Sequence, residues 1–212
     1  MARPRSFDRN QVLAAVERQF RRTGYSGTSL DDIAAVTRLG RGSLYAAFGD
    51  KHRLFLLTLG EYCDRKAAEA ESMLTGSDES ALQRLHAYLT GNARFAFDDL
   101  DGLGCMAGKF ALEVGSSDPE AAELIGACFT RQRAAIEECL ESARRHGDLD
   151  PASNPAELAA MLLALVRGID VMAGARMAGK PMTAAVRQAL AGLPATRRGR
   201  RVVQQVLDGG AA

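Results

Sequence analysis

The chain has 212 residues, enough for one large or two modest hydrophobic cores, and its many helix formers, rare β-branched runs and lack of Trp predict an all-α fold. The formal net charge of +1 hides an asymmetry, because residues 1–60 hold ten Lys or Arg against five Asp or Glu, while residues 61–193 hold thirteen against twenty. This pattern is typical of a polyanion-binding module joined to a body that does not bind the polyanion.

No segment approaches the roughly 20 apolar residues of a membrane span, and no apolar signal core follows the basic N-terminus. These two features exclude a membrane protein and predict a cytoplasmic one. Four widely spaced cysteines without a C-x-x-C pair indicate free thiols, and the sequence contains no cluster of metal ligands. We therefore expect no metal and no cofactor.

The first predicted element is a helix that follows a basic arm. Arg3 and Arg5 precede any apolar periodicity, and we expect them to form a flexible arm that contacts phosphate. Asp8 is expected to cap the helix, and Gly24 is expected to end it in a left-handed conformation. Apolar residues recur along this helix at Val12, Leu13, Val16 and Phe20.

Two short helices joined by a tight turn are predicted over residues 29–48, the pattern of a helix-turn-helix. Thr28 or Ser29 can accept the free amides at the start of the first helix, and glycines at positions 40 and 42 interrupt it. The second helix carries Leu44 and Phe48 on one face. In this motif the second helix enters the major groove, while the first crosses the DNA backbone.

The residue types of this segment suit contacts with duplex DNA. Arg41 lies at the N-terminal tip of the second helix, where the free amides and the helix dipole favour a phosphate oxygen. Ser43 and Tyr45 can reach phosphates or base edges. The predicted DNA-contacting residues are Thr28, Ser29, Arg38, Arg41, Gly42, Ser43, Tyr45, Ala46 and Lys51. The alternative interpretation is a helical hairpin in an all-α core, with solvated surface cations.

The remaining segments predict a helical body. The predicted helices are a long one from Asp50 to about Leu74, one from Ser80 to about Phe97, a short one within Gly104–Gly115, one from Asp118 to Arg145, one that starts at Asn154-Pro155, and one over Thr183–Leu193. The last two are apolar on more than one side and therefore require a partner. The segment from Pro194 onward, with four arginines, is predicted to be a disordered basic tail.

The helix-turn-helix segment resembles the TetR-type transcriptional regulators. The matching residues are Thr28, Ser29, Ile33, Ala34, Gly42, Ser43, Leu44, Tyr45, Phe48 and Lys51. Arg38 stands where the family has its turn glycine, so Arg38 is expected either to adopt an unusual backbone angle or to shift the turn. The resemblance implies a DNA-binding domain over residues 1–50, a helical effector-binding and dimerisation domain over 51–193, and a four-helix dimer interface built from the last two predicted helices.

The resemblance also implies a small-molecule cavity in the helical body. The candidate effector-binding residues are Phe95, Cys105, Met106, Phe110, Met161, Leu165 and Met172. His86 and Asp170 are candidate polar contacts, and Asp170 needs a partner if it is buried. Each of these side chains could instead be ordinary core packing, because Met and Phe at helical spacing commonly fill a helical bundle.

We interpret the chain as a homodimeric, ligand-released repressor that binds a palindromic double-stranded DNA operator. An alternative is an electrophile-sensing or redox-sensing repressor that uses Cys105, which resembles the sensing cysteine of some family members and lies at a predicted helix N-terminus. An enzyme is not expected, because no Ser-His-Asp arrangement, metal cluster or phosphate loop is present and the three histidines lie in unrelated contexts.

Overall fold

A computed structural model describes residues 7–98, 103–177 and 179–209 of the chain. The helices in this part are α1 Arg9–Thr23, α2 Leu30–Thr37, α3 Arg41–Phe48, α4 Lys51–Leu74, α5 Ala81–Asp98, α6 Met106–Glu113, α7 Pro119–Arg145, α8 Pro155–Gly174, α9 Gly179–Ala191 and α10 Arg197–Gly209. The all-α prediction is confirmed. The predicted basic arm with Arg3 and Arg5 lies outside the described residues.

The helix ends follow the local signals in the sequence. The Asp8 carboxylate accepts hydrogen bonds from the amides of Asn10 and Gln11 at 2.9 and 3.3 Å, and Gly24 ends α1 with φ of 79°. The Asn154 side chain caps α8, with Pro155 in its first turn. Side-chain caps satisfy amides that no helical carbonyl can reach, so these boundaries depend on neighbouring residues alone.

The chain divides into two compact units. Unit 1 holds the residues up to Asp64 together with Cys105–Ile125, and unit 2 holds Arg65–Gly104 and the residues from Gly126 onward. Helices α4 and α7 are continuous and contribute residues to both units. The first unit therefore extends past residue 50 and includes a segment that is distant in sequence.

Aromatic side chains from three helices form the core of unit 1. Phe55 of α4 packs edge-on against Phe20 of α1 and Phe110 of α6, with ring centroids 5.2 and 4.8 Å apart. All three side chains are fully buried. Helix α6 is thus an integral part of the same core as the N-terminal helices.

The core of unit 2 is formed around α5, which packs against α8, α9 and α10. Its buried apolar side chains include Leu82, Leu85, Leu89, Ile136, Leu140, Leu162, Val166, Ile169, Val186 and Leu190. All four cysteines of the chain are free thiols, as predicted.

Helix α10 corrects the prediction of a disordered tail, which is wrong for Arg197–Gly209. Val203 is buried, and the Arg198 Nε lies 3.2 Å from the carboxylate of Asp148, which is itself 1% exposed. The apolar residues Val202, Val203, Val206 and Leu207 recur at helical spacing behind the arginines. The basic composition of the segment obscured this amphipathic pattern.

We expect Gly199→Ala to weaken the docking of α10. A Cβ atom at position 199 would overlap the main-chain carbonyl of Asp148, and a backbone carbonyl cannot rotate away as a side chain can. The expected loss is about 1–3 kcal/mol in the free energy of unfolding, measured by urea denaturation. Gly209→Ala is the matched control, because a Cβ there would meet nothing within 4 Å. Equal stability of the two variants would contradict this packing.

Candidate nucleic-acid interface

The turn between α2 and α3 has the geometry that its sequence requires. Arg38 ends α2 in the left-handed region, with φ of 56° and ψ of 26°, which is one of the two outcomes expected from its place in the turn. At the other end of α2, Ser29 and Asp32 form a capping box, in which the Ser29 hydroxyl accepts from the Asp32 amide at 3.2 Å and the Ser29 amide donates to the Asp32 carboxylate at 2.8 Å.

Helix α3 separates a buried face from an exposed one. Leu44 and Phe48 are 1% and 6% exposed and attach the helix to the core of unit 1. Tyr45 is 51% exposed. The other exposed residues of the helix are Arg41, Gly42, Ser43, Ala46 and Ala47. The predicted contact residues of α3 therefore lie on one solvent-facing surface, which is free to approach a groove.

Arg41 is paired with Asp31. Its guanidinium donates from Nε to one carboxylate oxygen at 2.5 Å and from the neighbouring terminal nitrogen to the other. This hydrogen bond lowers the pKa of the Asp31 carboxyl. Both side chains are more than 60% exposed, so water screens the pair and a phosphate can compete for the guanidinium.

Thr28 and Lys51 have structural roles, which corrects their prediction as DNA contacts. Thr28 is 1% exposed and its hydroxyl donates to the Gly24 carbonyl at 2.6 Å, so its side chain has no free surface for DNA. The Lys51 ammonium donates to the carbonyls of Tyr25 and Thr28 at 3.1 and 3.0 Å, and it lies 4.3 Å from the centroid of the Tyr25 ring. These contacts attach the α1–α2 connection to the first residue of α4.

Within unit 1, α6 holds the end of α1, an arrangement that the sequence analysis missed. The Lys109 ammonium donates to the Arg21 carbonyl at 2.5 Å, and the Glu113 carboxylate accepts from the Ser26 amide at 3.1 Å. We call these two contacts the α6 clamp. They join residues 88 and 87 positions apart, so no local sequence signal could have indicated them.

The predicted effector-binding residues are divided between the two units. Met106 and Phe110 are fully buried in the core of unit 1, and Cys105 is the half-buried N-cap residue of α6. Three of the unit 2 candidates are exposed in the single chain: Phe95 at 47%, Met161 at 47% and Met172 at 39%. Leu165 is half-buried.

The two polar candidates, His86 and Asp170, both lie in unit 2. His86 is half-buried, and this burial lowers its pKa. Asp170 pairs with Arg167 at 3.3 Å, so the partner that its burial requires comes from the same helix. Across the described ranges, no helix is long and apolar enough to cross a membrane, and no group of three or more His, Cys, Asp or Glu could hold a metal ion.

Comparisons with known proteins match both parts of the chain. The family model described as "Bacterial regulatory proteins, tetR family" matches residues 12–57, and that described as "Tetracyclin repressor-like, C-terminal domain" matches residues 81–189. The chain is 26% identical to the HTH-type transcriptional repressor ComR of Escherichia coli over 81% of each chain. It is 30% identical to the uncharacterized HTH-type transcriptional regulator YezE of Bacillus subtilis, over 71% of this chain and 77% of YezE.

A solved structure shares the fold as well. It contains a cysteine mutant of the TetR family transcriptional regulator CifR complexed with double-strand operator DNA. The TM-score is 0.79 at 26% identity, and the match covers 91% of this chain and all of the CifR chain.

Proposed function

Because the chain belongs to the TetR family of DNA-binding transcriptional regulators, we propose that it is a homodimeric repressor that a small molecule releases from a palindromic operator. The observation that carries this proposal is the solvent-facing surface of α3, with Arg41, Ser43 and Tyr45 on a helix fixed by its buried face. Action on bacterial operator DNA implies a cytoplasmic location.

The roles of the α3 residues follow from their chemistry. Arg41 can exchange Asp31 for a phosphate, Tyr45 can extend its phenol to a phosphate oxygen, and Ser43 can donate to a base edge. The fold does not require glycine at position 42, since a Cβ there would meet nothing within 4 Å among the described residues, and the missing side chain would let the DNA backbone approach α3 closely. Ser29 and Arg38, the two cap residues of α2, are both exposed.

An exposed apolar stripe on α8 supports the dimer. Its members recur every three or four residues: Ala160, Met161, Ala164, Gly168, Val171 and Met172. All but the half-buried Gly168 are solvent-exposed in the single chain. An exposed apolar stripe is costly unless it is covered, and the small residues at its centre allow a second helix to approach closely. We assign the stripe to the dimer interface, where Met161 and Met172 gain a role other than effector binding.

In the proposed mechanism, the effector acts through α4 and α7, the two helices that contribute to both units. A shift of these helices changes the separation of the two α3 helices in the dimer, and the mismatch with the operator costs affinity at one half-site. The α6 clamp adds a second route, because α6 holds the last turn of α1 and the following connection.

We expect Glu113→Ala to reduce the coupling between effector and operator. The variant removes the acceptor of the Ser26 amide, a contact between α6 and the α1–α2 connection. In wild type we expect the effector to weaken operator binding about 5-fold to 150-fold, and in the variant this ratio should fall by about threefold, because the route through α4 and α7 remains. Titrating labelled operator with and without a compound found in a release screen measures the ratio.

Glu113→Gln is the control, because the amide oxygen still accepts from the Ser26 amide and coupling should stay near the wild-type value. If Glu113→Ala kept the wild-type ratio of operator affinities without and with the effector, the clamp would only stabilise the fold.

The experiment that tests the proposed function is selection of bound duplexes from a random pool, followed by a screen for compounds that release them. We expect an enriched palindrome whose half-sites are spaced by about one helical turn of DNA. Recovery of no enriched sequence, or binding by a monomer, would contradict the proposal.

A second candidate is a repressor that senses electrophiles through Cys105. The observation that favours it is the position of Cys105 at the N-cap of α6, where its thiol interacts with the Tyr62 hydroxyl, whose pKa is raised by burial first and by Cys105 second. Oxidation or alkylation there would disturb α6 and therefore the clamp.

Cys105→Ser separates the two candidates in a gel-shift assay. If Cys105 is the sensor, N-ethylmaleimide should release wild-type protein from the operator and leave the Cys105→Ser complex intact. The other three cysteines are buried and serve as internal controls for selective reaction. Equal release of both proteins would remove this candidate.

A further inference from the structure

Helix α10 presents a basic face to solvent. Its buried and half-buried residues are apolar: Gly199, Val202, Val203, Val206 and Leu207. Its exposed residues are charged or carry amides, apart from the terminal glycine: Arg197, Arg198, Arg200, Arg201, Gln204, Gln205 and Asp208. The helix carries four arginines against one acidic residue, whereas residues 61–193 hold thirteen basic residues against twenty acidic ones. We call this exposed side the α10 basic face.

Two of the four arginines attach α10 to the rest of unit 2. The Arg198 guanidinium lies 3.2 Å from the Asp148 carboxylate and donates to the His146 ring at 2.6 Å. The Arg200 guanidinium donates to the Ala195 carbonyl at 2.8 Å. These contacts account for an arginine at positions 198 and 200.

The other two arginines have no structural contact that would account for them. Arg197 and Arg201 are exposed, and neither makes a hydrogen bond or an ion pair with another described residue. They lie one helical turn apart, where like charges destabilise a helix. Arg197 also lies in the first turn of α10, where the helix dipole disfavours a cation and no acidic residue offsets it. Folding stability therefore does not explain these two charges, whereas binding of an anionic partner does.

The α10 basic face offers charge without an apolar centre. Val203 belongs to the core of unit 2, and Val202 and Leu207 pack against that core. An amphipathic helix binds a membrane surface through an apolar face, and the centre of a protein interface is apolar, so neither partner suits this surface. Interfaces with DNA are polar and positively charged, and guanidinium and amide groups both donate to phosphate oxygens. The chemistry of the surface therefore favours duplex DNA.

We propose that the α10 basic face is a second DNA-binding surface, which contacts the phosphate backbone without regard to base sequence. Arg197 and Arg201 neutralise phosphates, and the Gln205 amide donates to a further phosphate oxygen. This surface goes beyond the proposed function, because it requires neither an operator sequence nor α3. It raises the affinity of the protein for any duplex and makes that affinity more dependent on salt.

The test measures binding of the full-length protein to a random-sequence duplex by fluorescence anisotropy at several salt concentrations. The variant Arg197→Gln/Arg201→Gln removes two cations from each α10 and keeps side chains that can donate hydrogen bonds. The slope of log affinity against log salt should fall by about 1.8 for each α10 that contacts the duplex. Over a fourfold rise in salt, the variant should therefore lose about 12-fold less affinity than the wild type for each such α10.

Arg94→Gln/Lys180→Gln is the matched control. It removes the same charge from exposed residues of α5 and α9, outside the α10 basic face. Its slope should equal that of the wild type. The Arg197→Gln/Arg201→Gln variant should melt at or above the wild-type temperature, because a pair of like charges is gone. A lower melting temperature would give the two arginines a role in the fold and would contradict the inference.

Equal slopes for the wild type and the Arg197→Gln/Arg201→Gln variant, or equal reductions in this variant and the control, would overturn the inference. Vesicles of phosphatidylglycerol test a lipid partner. Vesicle binding that is lost in Arg197→Gln/Arg201→Gln, together with an unchanged DNA slope, would assign the surface to a membrane and would also overturn the inference.

Failure of this inference is distinguishable from failure of the proposed function, because α3 is unchanged in all three proteins and its share of the slope cancels in the comparison. A chain that binds its selected operator but shows equal slopes would lose only the second surface. A chain that shows the difference in slope but selects no operator would lose only the proposed function.

Discussion

Ala164→Asp should convert the protein to a monomer and weaken operator binding by at least about 100-fold. Ala164 is exposed at the centre of the apolar stripe of α8, and a two-fold axis would place two carboxylates against each other there. An uncompensated buried charge costs about 3–5 kcal/mol, and each 1.4 kcal/mol is a factor of ten in affinity. Analytical ultracentrifugation gives the oligomeric state, and fluorescence anisotropy gives the operator affinity.

Ala87→Asp is the matched control for this change. Ala87 is also an exposed alanine within a helix, but it lies on α5 outside the stripe. The control should remain dimeric with wild-type operator affinity, and both variants should keep the helical content of the wild type. A dimeric Ala164→Asp protein would remove α8 from the interface, and a monomeric Ala87→Asp protein would indicate a general loss of structure.

Tyr45→Ala should weaken operator binding by about 30-fold or more. Each half-site loses one contact worth about 1–3 kcal/mol, and the dimer loses that contact twice. Tyr45 is 51% exposed and lies on the outer face of α3, so the free energy of unfolding should change by less than about 0.5 kcal/mol. Electrophoretic mobility shift with the selected operator measures the affinity, and thermal denaturation measures the stability.

Salt dependence distinguishes the contribution of Tyr45 from that of a charged neighbour. Arg41→Ala should reduce the slope of log affinity against log salt by about two, because each half-site loses one phosphate neutralised by a cation. Tyr45→Ala should leave that slope unchanged, since the phenol is neutral. Unchanged operator affinity in both variants would mean that α3 does not face DNA.

Much of the architecture could be predicted because its determinants are local. Asp8, Gly24 and Asn154 set helix ends through atoms within three or four residues of themselves. Arg38 takes the left-handed conformation, which is one of the two outcomes expected from its place at the family's turn glycine. The separation of α3 into a buried and an exposed face likewise follows from the spacing of Leu44 and Phe48.

The basic composition of the segment after Pro194 led to a wrong prediction, although the spacing of its apolar residues indicated a helix. Four arginines suggested a solvated tail after Pro194, but the valines behind them give α10 an apolar face, and Arg198 pairs with a buried carboxylate. The charged groups remain on the outer side of the helix, so a basic composition is compatible with docking. Hydrophobic spacing was the better guide in this segment.

The sequence by itself determined the helical class, most helix boundaries and the exposed face of α3, because each of these depends on residues within one or two helical turns of one another. Only the tertiary structure decided that Thr28 and Lys51 make structural contacts and that α6 contacts the end of α1. Whether a polar side chain reaches solvent, a backbone carbonyl or no partner depends on groups brought together from distant parts of the chain. Local sequence patterns do not indicate which distant groups come into contact.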